Sequence, residues 1–177
     1  MIKLDDIQKA GFKVTWKVID IGFKGSKVFR GELSARDIID YALLQLESGK
    51  ADKTSGELAC EYDTNTEEVD NLVKGLANKE NTDYSIEFRK WRVLYVEKEF
   101  PTEKTDYING LIMLGNIWVA LDFPEDSPHV FQGRGNDITP EQYYTEENYK
   151  ELFHKHKEWI EKEVKQLTDS DKKNMTP

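Results

Sequence analysis

Residues 104–124 read KTDYINGLIMLGNIWVALDFP, and whether they coil or extend decides the fold. Apolar residues stand almost all round a helical projection of this stretch, so the segment predicts a central buried helix, with Gly110 and Gly115 admitting close neighbours. The rival reading takes NG and GN, flanked by Ile, Leu, Trp and Val, as hairpin turns and puts a minor β-hairpin near 107–121.

Working outward, the flanking segments carry the helical period. In SARDIIDYALLQLESG, Ser34 is placed to cap a helix whose Ile38, Ile39, Ala42 and Leu46 share a stripe, and Gly49 supplies its left-handed end. Upstream, Asp5–Val14 and the stretch after Thr15 predict two short helices, with Gly22 and Gly25 as stops. SGELACEYDTNTEEVDNLVKGLANKEN predicts two helices joined by DTNT, the second striped by Val69, Leu72, Val73, Leu76 and Ala77. DYSIEFRKWRVLYVEKEFP carries Tyr84, Phe88, Trp91 and Tyr95 on one face and ends before Pro101. After Thr145, the positions Tyr149, Leu152, Phe153, His156, Trp159, Ile160, Val164 and Leu167 form one long stripe. The sum is an all-α, single-domain helical bundle of about seven helices over residues 1–167, followed by a loose polar tail at 168–177.

Composition narrows the function classes. At 177 residues the chain can bury a core without disulfides or a structural metal, and its aromatic content rules out a disordered polymer. Acids outnumber bases 34 to 25, a net charge of −9, which disfavours nucleic-acid binding and suits a basic partner. The two-helix segment at 55–81 resembles a DNA-reading hairpin in outline only, because its second helix offers Glu67, Glu68 and Asp70 to the phosphates. No run approaches a membrane span and no secretion signal opens the chain, so a cytoplasmic protein is expected. Cys60, the only cysteine, is expected in core packing.

The chemistry-bearing signals are sparse. FKGSKVFRGEL and QGRGND lack the phosphate-loop and dinucleotide spacings, and no nucleophile elbow occurs. Glu151 and His154 form ExxH on a helix, the spacing that aims two ligands at one ion in helical bundles, and His129 is the residue that would join them from the loop. A bundle metal site needs a second such helix, which is missing, so no cofactor or metal is expected. A metal-dependent or hydrolase-like enzyme using His129 and His154 is the alternative to the main reading. In DFPEDSPHVFQGRG, residues 122–135, the prolines and glycines describe a pinned connection, with Phe123, Val130 and Phe131 facing the core. Asp126, His129, Gln132, Arg134 and Asp137 are then expected to be held outward for recognition.

TWKVIDIGF, DIIDYAL, ELA followed by EEVDNLVKGLA, RKW and WVALDFPEDSP, taken in this order, resemble the bacterial family catalogued as domain of unknown function 2247. The resemblance spans roughly Phe12 to Val130. It implies small cytosolic α-helical proteins without an assigned activity, and it transfers no catalytic residue. By analogy with other small acidic bacterial proteins, the expected function is non-catalytic binding of a protein partner, as in an immunity protein that blocks a basic toxin. The contacts expected are Glu67, Glu68 and Asp70 with Glu125, Asp126, His129 and Arg134.

Overall fold

The computed structural model describes residues 1–102 and 104–173, and these are helical throughout their regular structure. The elements run α1 (Leu4–Lys9), α2 (Trp16–Lys24), α3 (Ala35–Glu47), α4 (Lys53–Ala59), α5 (Thr66–Asn78), α6 (Tyr84–Glu99), α7 (Tyr107–Ala120), α8 (Pro140–Tyr143) and α9 (Glu146–Lys173). The deciding stretch is a helix, so the hairpin alternative at 107–121 does not hold. Among the described residues the only extended pairing is an isolated bridge between Gly25 and Arg30. The chain sorts into two compact units, one of Met1–Leu94 with Leu167 onward, the other of Tyr95–Gln166.

In the first unit, α3 packs on α4, α2 on α5, and α4 on α5. Local capping sets these helices where the sequence places them. Thr15 Oγ1 accepts from Val18 N at 3.1 Å, and Ser34 and Asp37 form a reciprocal capping box. Gly49 takes φ +71° just past α3. Gly22 does not stop α2 as expected but lies inside it, because its missing side chain makes room for a ring. A Cβ there would fall inside the van der Waals radius of Trp91 and within 2.8 Å of Leu33 Cδ1. Trp91, 1% exposed, is held in that place by donating from Nε1 to Val18 O at 2.8 Å. Gly22→Ala should therefore destabilise the protein by about 1–3 kcal/mol in urea denaturation, despite alanine's better helix propensity, through overpacking.

A buried ion cluster closes the same unit. Lys90 is fully buried, with its ammonium 2.7 Å from Asp171 Oδ1 and 2.9 Å from Glu87 Oε2, and it donates to Lys13 O at 3.2 Å. The contact to Glu87 Oε2 is close but poorly aligned for a hydrogen bond, so it acts as an ion contact. Burial pushes the Glu87 carboxyl up, against the pull of Lys90. Asp171 Oδ2 also accepts from Lys13 N at 2.7 Å. These contacts correct the expected tail: α9 continues through Lys173, and Asp171 is 5% exposed because its carboxylate answers Lys90. The rest of the expected tail, 174–177, lies outside the described residues. Cys60 also departs from expectation, being exposed at the C-terminal end of α4.

In the second unit, Leu111, Leu114, Tyr143 and Leu152 form a core, with Phe100, Ile138 and Tyr149 packed against it. No helix among the described residues is long and apolar enough to cross a membrane.

Candidate functional site

The second unit divides α7 into two faces with different roles. Inward, Leu111, Leu114, Ile117 and Trp118 are all at most 3% exposed. Outward, Ile108 and Ile112 are each 44% exposed and Val119 51%. At 3.6 residues per turn these three point within about 40° of one another. Expected to be buried all round, α7 instead shows solvent one apolar stripe.

Between Ile112 and Val119 on that stripe comes Gly115, where the connecting loop lies directly on the helix. A Cβ at Gly115 would sit 3.4 Å from His129 Nε2 and 3.9 Å from Phe131 Cε1. Val130, between those two in sequence, is 38% exposed.

The loop is pinned by more than its prolines and glycines. Helix α7 ends in a Schellman motif, with Phe123 N donating to Trp118 O at 2.9 Å and Asp122 N to Val119 O at 3.1 Å. Asp122 and Phe123 take φ of 58° and 52°, a left-handed pair without glycine. Gly133 and Gly135 are left-handed as the composition implies. Phe123 and Phe131 meet edge to face at 4.9 Å, and Arg134 stacks its guanidinium 3.8 Å above Phe123. Asn136 ties the far side, accepting from Gly133 N and Ile138 N and donating to Phe131 O at 2.8 Å.

Beneath the loop are two buried imidazoles. His156 is fully buried on α9, where Trp118 Nε1 donates to its Nε2 at 2.7 Å and its Nδ1 lies 2.5 Å from Leu152 O. An indole N–H can only donate and a carbonyl can only accept, so His156 is the neutral tautomer protonated on Nδ1. A second proton would set two donors against each other. Burial holds its pKa down to about 4.

His129, 7% exposed, stacks edge-on to His156 with ring centroids 5.4 Å apart, and its Nε2 is 2.8 Å from Tyr143 Oη. Its Nδ1 has no hydrogen-bond partner. A ring proton on Nε2 donates to Tyr143 Oη, and one on Nδ1 lets the Tyr143 hydroxyl donate to Nε2; both neutral tautomers keep this hydrogen bond and leave one donor unanswered. Burial, followed by the neighbouring His156, pushes its pKa down to about 3. Tyr143 reaches His129 because Thr139 and Gln142 cap the one-turn α8, whose first residue is Pro140.

The expected site residues scatter accordingly. His129, expected to face outward, points inward and is unavailable as a surface contact. His154 is 73% exposed and pairs with Glu158 at 3.2 Å, while Glu151 pairs with Lys155 at 2.6 Å, so the ExxH residues are each engaged along their own helix surface. His129 meets His156 instead, a pairing the sequence reading did not make. Among the described residues no group of three or more His, Cys, Asp or Glu is arranged to hold a metal. Asp70 is drawn to Lys24 at 3.0 Å, alongside Asp20 at 2.5 Å. Glu67 and Glu68 occupy the first turn of α5, whose Asn65 makes no side-chain cap, so they offset its dipole as well as facing solvent. Glu125, Asp126 and Arg134 are exposed on the loop, as expected.

The profile of a bacterial family, described as an uncharacterized protein conserved in bacteria (DUF2247), matches residues 4–164. The chain belongs to this family. The DUF2247 match takes in α8 and most of α9, so QGRGNDITPEQYY, which the sequence resemblance left uncovered, falls inside it. No curated protein and no solved structure matches the chain.

Proposed function

We propose that this DUF2247 chain is a non-catalytic protein-binding module that docks its partner on the outward face of α7. One observation carries the reading: Ile108, Ile112 and Val119 make an exposed apolar stripe along one side of α7, on a chain with a mean hydropathy of −0.71. Scattered exposed apolar residues are ordinary, but a set aligned on one side of a helix, beside a pinned loop, is what interfaces use. Glu125, Asp126 and Arg134 give the same loop a charged rim.

The net charge of −9 favours a basic partner, and a toxin blocked by occlusion is the specific case we propose. Glu67 and Glu68 on α5 then add to the negative charge that attracts such a partner, raising the association rate more than the final affinity. Asp70, already paired with Lys24, contributes least.

A photo-crosslinking residue placed at Ile112 in the bacterial host tests the reading. It should yield one discrete adduct absent when the probe replaces exposed Glu47. The polypeptide so identified should bind the purified chain, and Ile112→Asp should weaken binding at least 30-fold, about 2 kcal/mol. Absence of an adduct, or an affinity indifferent to Ile112→Asp, rejects the α7 face. In the same complex, Glu67→Lys with Glu68→Lys should slow association and flatten its salt dependence. Unchanged kinetics would remove the α5 acids from the reading.

A further inference from the structure

None of the 14 residues of α7 is charged, in a chain of which 33% are. Beside the stripe of Ile108, Ile112 and Val119, the outward face of this helix exposes Met113 and two amides, Asn109 and Asn116. At about 100° per residue the two asparagines project within about 20° of each other, one turn or so to either side of the level of residues 112 and 113. Ile112 and Met113 diverge from that common direction by about 50° each, in opposite senses. Asn109 donates to Asp106 Oδ2 at 2.7 Å, which orients its amide and leaves its oxygen to accept. Beyond Met113, a groove of about 160 Å³ separates α7 from the end of α6, with Tyr95 and Ile117 in its walls. Glu99 stands at its edge, with the Lys98 ammonium 3.9 Å away.

The symmetry of this face selects its occupant. Two copies related by a two-fold axis present the same patch to each other, so each residue has to suit whatever the axis sets opposite it. With α7 laid antiparallel on α7 of a second copy, and the axis at the level of residues 112 and 113, Asn109 of each chain faces Asn116 of the other. The Asn116 amide is then placed to donate to the Asn109 oxygen, once on each side of the axis. Along one edge of these amides Ile112 meets Ile112, with Ile108 approaching Val119. Along the other Met113 meets Met113 at the mouth of the groove, where a flexible, polarizable thioether suits an irregular space. Apolar residues fall on apolar residues and amides on amides. Charge argues the same way. Each copy carries a net charge of −9, and like charges brought face to face are costly, so an uncharged helix is where two copies can meet.

We infer that the outward face of α7 is covered in the free protein by α7 of a second copy, packed antiparallel about a two-fold axis at residues 112 and 113. The inference deepens the protein-binding reading, since it names the occupant of the same face when no other partner is present. A foreign partner docking there has to displace the second copy. The helix of 14 residues is about 21 Å long, which puts the contact at the small end of interfaces, where complexes are weak and exchange readily.

Sedimentation velocity of the full chain, from about 1 μM to about 1 mM, tests the assignment and should show monomer and dimer in exchange with a Kd of about 10–100 μM. Ile112→Asp sets two carboxylates across the axis and should weaken the dimer at least 30-fold. Leu44→Asp makes the same change at a 61% exposed position on α3 and should leave the dimer intact. Added salt should tighten the dimer, because it screens the repulsion between two acidic copies. Register is read by cysteine pairing in a Cys60→Ser chain, with copper phenanthroline as the oxidant. Ile112→Cys should form a disulfide-linked dimer readily, and Val119→Cys, whose copies lie at opposite ends of the contact, should not. A monomer throughout the range, a dimer indifferent to Ile112→Asp or loosened by salt, or equal linking from both cysteines would each overturn the assignment. A monomer here beside a foreign adduct from Ile112 in the host would reject the second copy and leave the protein-binding reading standing. A dimer that passes these tests, with only an adduct between copies in the host, would keep the second copy and reject the toxin.

Discussion

Lys90→Ala should lower the free energy of unfolding by about 3–5 kcal/mol, measured by urea denaturation at neutral pH. The loss is not that of a salt bridge counted by its Coulomb energy. The Lys90 ammonium, fully buried, is shared by Glu87, Asp171 and the Lys13 carbonyl, and its removal strands two buried carboxylates. Stranded buried charge is among the few single-site changes able to take away a large part of a domain's stability of about 5–15 kcal/mol. A second variant separates this cause from lost packing. Lys90→Met combined with Glu87→Gln and Asp171→Asn removes all three charges at similar volume and should recover more than half of the loss. Ending the chain after Thr168 should be comparably damaging, since it deletes Asp171 and leaves Lys90 without its closest carboxylate. A cost below about 1 kcal/mol for Lys90→Ala would mean that the cluster is solvated in solution.

Acid should act on the second unit through its two buried imidazoles. His129 and His156 have folded pKa values of about 3 and about 4, below the ordinary histidine value of 6.5. A base whose folded pKa is depressed contributes its full stability above the unfolded value and loses it as pH falls towards the folded one, because the unfolded chain binds the proton first. The window therefore opens below about pH 6.5. At pH 4.5 each histidine should have withdrawn about 2–3 kcal/mol, since one pKa unit corresponds to about 1.4 kcal/mol. Together they approach the whole stability of a marginal domain. The near-ultraviolet dichroism of Trp118 and Trp159, which meet edge to face at 5.0 Å, should collapse between pH 6 and 4. In His129→Asn with His156→Asn, stability at neutral pH should be lower but its dependence on pH over this window much shallower. An unchanged slope in the double variant would assign the acid sensitivity to carboxylates elsewhere.

Much of the fold was readable because local chemistry and periodicity agree. Thr15, Ser34 and Thr145 each precede a helix, and the long α9 stripe includes the buried Leu152, His156 and Leu167. The α8 turn was missed: Thr139, Pro140 and Gln142 carry its capping signal, but a four-residue helix has no period to announce it. What stayed hidden depends on partners distant in sequence. Lys90 reads as a solvated cation between Arg89 and Trp91 until Asp171 arrives 81 residues later. His156 stands on the apolar stripe of α9 between Lys155 and Lys157, but its partner, the indole of Trp118, lies 38 residues upstream and has no local signal. The α7 stretch failed in the opposite sense. Its uniform apolarity predicted complete burial, and the apolar pattern alone does not say which side of such a helix is left exposed.

A division between an interior committed to structure and a surface free to bind is tested most directly by long-range proton–nitrogen spectra of the histidine rings. His156 should appear at neutral pH as the neutral tautomer protonated on Nδ1, and His129 as a neutral ring hydrogen-bonded through Nε2 to Tyr143. Neither should titrate above pH 5 or respond to added zinc. A proton taken up by either ring near neutrality, or nitrogen shifts on both rings with stoichiometric zinc, would contradict that division and return the pair to catalytic or metal chemistry.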